Sequence, residues 1–141
     1  MNETLGPEAE AFLQQQPNLI LGTIRRDGSP QASPVWFLWV ARTFLVSTID
    51  STAKWHNLQK DRRCSACIDD PGTGRMIVAS GEADLHGDDV EARTRAIVEK
   101  YYPGDPLASD AHMRRIFGSD AARRVLIEMV PDRLIGRGLD E

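Results

Sequence analysis

Residues 47–61, STIDSTAKWHNLQKD, gather the side chains best suited to hold an anion. Ser47, Thr48, Ser51 and Thr52 offer hydroxyls where an apolar, β-branched run gives way to a helical pattern, and Lys54 follows two residues on. A phosphate site needs donors and positive charge in fixed places. A helix N-terminus supplies free N–H groups and about half a unit of positive charge. Ser51 or Thr52 can cap such a helix, and Lys54 in its first turn can swing over the same point. The same residues also suit an ordinary capped corner with a solvated lysine, and Asp50 would repel an anion if turned inward. Pattern alone leaves both readings open.

Other reactive residues are sparse. Cys64-x-x-Cys67 invites a redox or zinc reading, but residues three apart in a strand point to opposite faces. There is no second cysteine pair, and neither His56 nor His86 has matching ligand spacing, so two inert thiols and no metal are expected. No Ser/His/Asp or paired-carboxylate arrangement stands out. Tyr101, Tyr102 and His56 are able to donate a proton, yet each is read as structural, and the protonating group is left unassigned.

The 141 residues are 41% hydrophobic and 27% charged, with a formal charge of −4. That composition suits a single domain over 1–141 with a sizeable core. The weak acidity gives no electrostatic reason to expect nucleic acid or anionic lipid. The longest apolar stretch, 35–41, is too short to span a bilayer, and the N-terminus lacks the features of a signal peptide. A cytoplasmic location is the default expectation.

The elements that must position the corner follow from periodicity. Gly6-Pro7 opens a short helix that Pro17-Asn18 ends. Segments 19–26 and 30–40 flank the turn Asp27-Gly28-Ser29 as a hairpin, and 43–49 adds a third strand. Residues 52–60 form a short helix. Strands are expected at 63–69 and 75–87, the latter with Gly81 marking a bulge or close approach. An amphipathic helix covers 88–102, with Val90, Thr94, Ile97, Val98 and Tyr101 inward. Residues 103–109 read as loop, 110–117 as a short helix and 122–130 as a strand, and an edge strand follows Pro131. Six or seven meandering strands imply a barrel or sandwich. Segment 35–40 is apolar on both faces, so its outer face must meet another subunit, a covering helix or a planar ligand.

Taken together, Thr23-x-x-x-Asp27-Gly28-x-Pro30, Pro34-Val35-Trp36 and Ser51-x-Ala53-Lys54-x-x-Asn57-Leu58-x-x-Asp61, followed by SGEADL, resemble the flavin-binding split-barrel superfamily around pyridoxamine 5′-phosphate oxidase. The closer likeness is to its branch of small proteins that use the deazaflavin coenzyme F420. The resemblance runs from about residue 9 to the C-terminus. It implies a mainly β fold, a six-stranded antiparallel split β-barrel with short peripheral helices. It also implies a homodimer with two cofactor grooves at the subunit interface, which would account for the doubly apolar segment. The cofactor phosphate would meet Ser47, Thr48, Ser51, Thr52, Ala53 and Lys54, with Asn57 nearby. The ring would lie along Ala32, Ser33, Pro34, Val35 and Trp36, and residues 76–78 of the opposing subunit would close the groove.

The B6 oxidases carry an Arg-x-His motif near the C-terminus, where this chain reads RLIGRGLDE, so pyridoxamine phosphate is not the expected substrate. The expected activity is hydride transfer between deazaflavin and an activated C=C or C=N bond of a small organic substrate. Two alternatives share the fold: an FMN-dependent oxidoreductase, and a non-enzymatic flavin or haem-type carrier.

Overall fold

Segment 35–40 is two strands rather than one, and the break shapes the molecule. In the computed structural model, which describes residues 5–118 and 123–139, β2 (Pro30–Val35) ends at Val35 and β3 (Leu38–Val40) begins two residues later. The other elements are α1 (Pro7–Gln15), β1 (Leu19–Ile24), β4 (Thr43–Ile49), α2 (Ala53–Lys60), β5 (Arg63–Asp70), β6 (Arg75–His86), α3 (Val90–Tyr101), α4 (Pro106–Phe117) and β7 (Arg124–Arg137). The seven strands pair antiparallel in the order β2-β1-β5-β6-β7-β4-β3. The count is therefore seven, not six.

β2 and β3 are the two edges of this sheet, yet three Cα steps of about 3.8 Å join them. The sheet must curl until its edges lie within about 11 Å, giving a barrel split between β2 and β3. A break of this kind leaves backbone groups without ladder partners. At Phe37 they are satisfied from α3: the N–H donates to Tyr101 Oη at 2.8 Å, and the carbonyl accepts from Lys100 Nζ at 3.0 Å. Tyr101 Oη donates onward to Pro17 O at 2.7 Å. The end of α3 thus clasps the split.

Inside the barrel, alternate strand residues fill one core. Leu19, Leu21, Phe37, Phe44, Ile68, Ile77, Ile127 and Met129 are buried there with Phe12 and Leu13 of α1 and Leu58 of α2. A smaller cluster, Leu45, Ile97 and Leu126 with Leu38, Val90 and Tyr101 against it, lies between the sheet and α3. At Leu38 the outer face of 35–40 is covered by the chain's own helix, while Trp36 and Val40 stay 36% and 41% exposed.

Two further expectations are corrected. The helix expected over 110–117 begins at Pro106, because Asp105 caps it, accepting from Ala108 N at 3.1 Å, and proline takes its first position. Pro131 does not end a strand, since β7 runs through it. The partner register shifts from Gly81↔Pro131 to Ser80↔Arg133, leaving Asp132 as the extra residue of a bulge, where a missing N–H is tolerated. Gly81 is the bulge position foreseen from sequence. A Cβ there would sit 2.1 Å from Val130 O, so only glycine fits. Residue 122 lies outside the described residues.

One row crosses the outer face of five strands: Pro34, Ile20, Cys67, Val78 and Ile135 are successive partners. All five are apolar or weakly polar, and Ile20 and Ile135 are 41% and 47% exposed. Cys64 faces the core while Cys67 lies on this outer row. Burial pushes the Cys64 thiol up to about 12. No helix among the described residues is long and apolar enough to cross a membrane.

Candidate functional site

The strand-to-helix corner opens onto a cavity of ≈ 230 Å³ lined by Val35, Trp36, Ser47, Thr48, Lys54, Thr94, Ile97, Val98, His112, Ile116 and Arg124. Four elements converge to build it. β4 brings Ser47 and Thr48, α2 brings Lys54, the start of β7 brings Arg124, and α3 with α4 forms the opposite wall. The register Ile49↔Arg124 is what sets the guanidinium beside the corner.

Every charged group in this lining is a cation or can become one. Lys54 and Arg124 are half-buried, and burial pulls both below their ordinary values. Neither has an ion-pair partner among the described residues. Arg124 donates to Ser47 Oγ at 3.1 Å, and Ser47 Oγ also meets Thr94 Oγ1 at 2.8 Å. Arg124 Nε is buried with no hydrogen-bond partner among the described residues. Asp50 does not line the cavity. With no carboxylate among the described residues of the lining, two desolvated cations and an orphaned donor make a site that an anion would complete.

The corner itself is wired for shape rather than for capping. Thr48 Oγ1 donates to Thr52 Oγ1 at 3.3 Å, and Thr52 Oγ1 donates to Ile49 O at 3.0 Å. The α2 N-cap, Thr52, therefore makes no side-chain bond to the helix. The first-turn amides of α2, including those of Ala53 and Lys54, have no intrahelical acceptor by helix geometry. They remain the natural donors for an anion drawn there by the helix dipole.

Of the residues singled out from sequence, the structure gathers Val35, Trp36, Ser47, Thr48 and Lys54 in one cavity. Ser51, Thr52 and Ala53 flank it at the start of α2, with Ser51 and Ala53 exposed. Ala32 and Pro34 are exposed on the edge strand β2, and the Oγ of Ser33 is buried without a partner. Asn57 stands apart. Its amide donates to Thr23 Oγ1 at 3.0 Å, tying α2 to β1, and it borders a separate hollow with Arg26, His56, Gln59 and Lys60.

Sequence reasoning missed Arg124, His112 and Ile116. A signal existed for Arg124: it alternates with Leu126 on the β7 face covered by α3, where a solvated arginine has no room. His112 was hidden because it reaches the cavity from α4, far along the chain from the corner. Trp36 stacks on Tyr101 (centroids 4.0 Å, planes 7° apart) and on His112 (4.9 Å, 24°), so both helices pack on the split through one indole. Tyr101 is not an available acid. Burial pushes it up to about 12, and its hydroxyl is committed to the split.

Comparison with known proteins agrees with this fold. Residues 5–135 match the family model described as pyridoxamine 5′-phosphate oxidase. The chain belongs to that family. Among solved structures similar to this oxidase-family chain is a conserved hypothetical protein of Mycobacterium tuberculosis: 20% identity, 96% of this chain and 87% of that one, TM-score 0.77. A protein titled F420 reductase matches at 21% identity, 94% and 98% coverage and TM-score 0.71. HutZ, the haem storage protein of Vibrio cholerae, matches at 18% identity, 97% of each chain and TM-score 0.72. At these identities the likeness establishes the split-barrel fold of the oxidase family and nothing narrower.

Proposed function

We propose that this family member is an oxidoreductase that binds coenzyme F420 and transfers a hydride between it and an activated C=C or C=N bond of a small organic substrate. The observation that carries the reading is the pairing of Lys54 and Arg124, desolvated and without a counter-charge among the described residues, at the open N-terminus of α2. A phosphate placed there would be held by both cations, by Ser47 and by the first-turn amides.

The cavity, at ≈ 230 Å³, is below the roughly 300–1,000 Å³ that encloses a whole drug-sized ligand. It suits the charged end of the cofactor. The ring then belongs on the exposed backbone of Ala32, Ser33, Pro34, Val35 and Trp36, where β2 has no neighbour beyond β1. When bound, the reduced deazaflavin supplies the hydride equivalent. The chain's own contribution is to fix the phosphate, present a flat strand edge, and exclude water with Trp36, Ile97, Val98 and Ile116.

A ring on an open edge needs a lid, and a second copy is the proposed one. The row Pro34–Ile20–Cys67–Val78–Ile135 begins on the ring-bearing strand and passes through Val78. An isologous contact across it can lay residues 76–78 of one copy against β2 of the other. The proposed protein is thus a cytoplasmic homodimer with two shared sites.

FMN, which also carries a phosphate, is the second reading because the same donors suit it. Titrating apo-protein with each cofactor in turn, followed by absorbance and fluorescence, separates the two. Tighter binding of F420, with turnover of an enone or imine panel, supports the first reading. Preference for FMN, or haem binding without reductase activity, overturns it in favour of an alternative.

A further inference from the structure

His112 has one nitrogen whose state is fixed by its neighbours. Its Nδ1 lies 2.9 Å from an Arg115 guanidinium nitrogen and 3.1 Å from Tyr102 Oη. Arginine can only donate, so Nδ1 must accept, and the ring proton must reside on Nε2. Nε2 is left as the ring's single uncommitted polar atom, and it has no hydrogen bond among the described residues. The ring itself lines the cation-lined cavity and is braced against Trp36.

We propose that His112 is a ligand-binding donor of this site, offering a neutral Nε2–H to an acceptor oxygen of the cavity's occupant, with Arg115 as the positioning residue that fixes the tautomer. The inference rests on the phosphate reading of the cavity and adds a residue to it. The arrangement gives the site a donor that survives changes of pH. The charged and titratable groups facing the imidazole are Arg115 on its own helix, Tyr102 at the end of α3, Arg124 on β7 and Lys54 on α2. Three are cations, and no carboxylate faces the ring among the described residues, so a second proton on it is disfavoured. Burial together with Arg115 and Arg124 holds His112 below the ordinary imidazole value.

The test pairs NMR of the ligand-free protein with titrations of FMN and F420. Nitrogen-15 spectra of the imidazole should show the Nε2–H tautomer at neutral pH and no titration near 6.5. Replacing Arg115 by Met should free Nδ1 to carry the proton in part of the population and raise the ring's titration only part-way, since burial and Arg124 remain. His112→Phe keeps the stack on Trp36 but removes the donor, so affinity for the preferred cofactor should fall about tenfold. His112→Gln, which keeps an N–H, should recover part of it. If His112→Phe binds that cofactor like wild type, or if the free ring carries its proton on Nδ1, the proposal fails while the phosphate reading stands. If wild type binds neither cofactor, the phosphate reading falls and the donor role falls with it.

Discussion

Arg124 shows how a single side chain can be present in the sequence and still not be legible there. A basic residue at the start of a strand reads as solvated, and only the pairing Ile49↔Arg124 under α3 turns it into a half-buried cation beside Lys54. The Lys54 corner was readable because its donors are local in sequence. Arg124 and His112 were not, because they reach the site across long chain separations. Since Arg124 is half-buried and its Nε has no partner among the described residues, its charge costs the free protein stability that a bound anion would recover. Arg124→Gln should therefore leave the melting temperature of the apo-protein unchanged or raised, and weaken cofactor binding about tenfold or more. Calorimetry with and without cofactor reads both effects. A variant that loses apo stability and keeps its affinity would assign Arg124 a purely structural role.

Among the elements, most strands and helices followed from periodicity and turn chemistry, and the misses have physical causes. The break at Trp36 and Phe37 has no sequence punctuation, because its unpaired backbone is satisfied by Tyr101 and Lys100, far along the chain. Pro131 reads as a terminator because its tolerance depends on the bulge opposite Gly81. Replacing Gly81 by Ala should destabilise by about 1–3 kcal/mol through a backbone clash. Gly136→Ala, with only ordinary contacts around its Cβ, should cost far less. Equal denaturation midpoints for the two would contradict the bulge account. The clasp also predicts a pH effect. Burial pulls Lys100 down to about 8 from 10.5, so between those values the unfolded chain holds a proton that the folded chain has shed. Stability should rise with pH through that window. Tyr101, raised to about 12 from 10.0, acts with the opposite sign above pH 10, and Cys64, raised to about 12 from 9.0, does so above pH 9, so the Lys100 effect is read between pH 8 and 9. Urea unfolding over that range should show the rise in wild type and a flatter profile in Lys100→Met. Identical slopes would remove Lys100 from the clasp.

For the assembled protein, the sequence pointed to a second subunit, a helix or a planar ligand through a segment that the chain's own helix covers only in part. The doubly apolar segment is covered at Leu38 by α3, and the row Pro34–Ile20–Cys67–Val78–Ile135 is the open apolar face instead. No periodicity argument finds this row, because it runs across strands and exists only once the register is known. If a second copy covers it, light scattering at micromolar concentration should give a dimer mass. Ile20→Glu with Ile135→Glu should give a monomer whose half-buried Cys67 reacts faster with thiol reagents. A monomeric wild type would remove the lid from the proposed cofactor groove. The anion site itself is tested most directly by calorimetric titration of F420 into wild type and Lys54→Ala. Loss of one charge-assisted contact, worth roughly 1.5–3 kcal/mol, should weaken binding about tenfold to a hundredfold. Wild-type affinity in Lys54→Ala, for F420 and FMN alike, would make the corner an ordinary turn with no role in holding a phosphate.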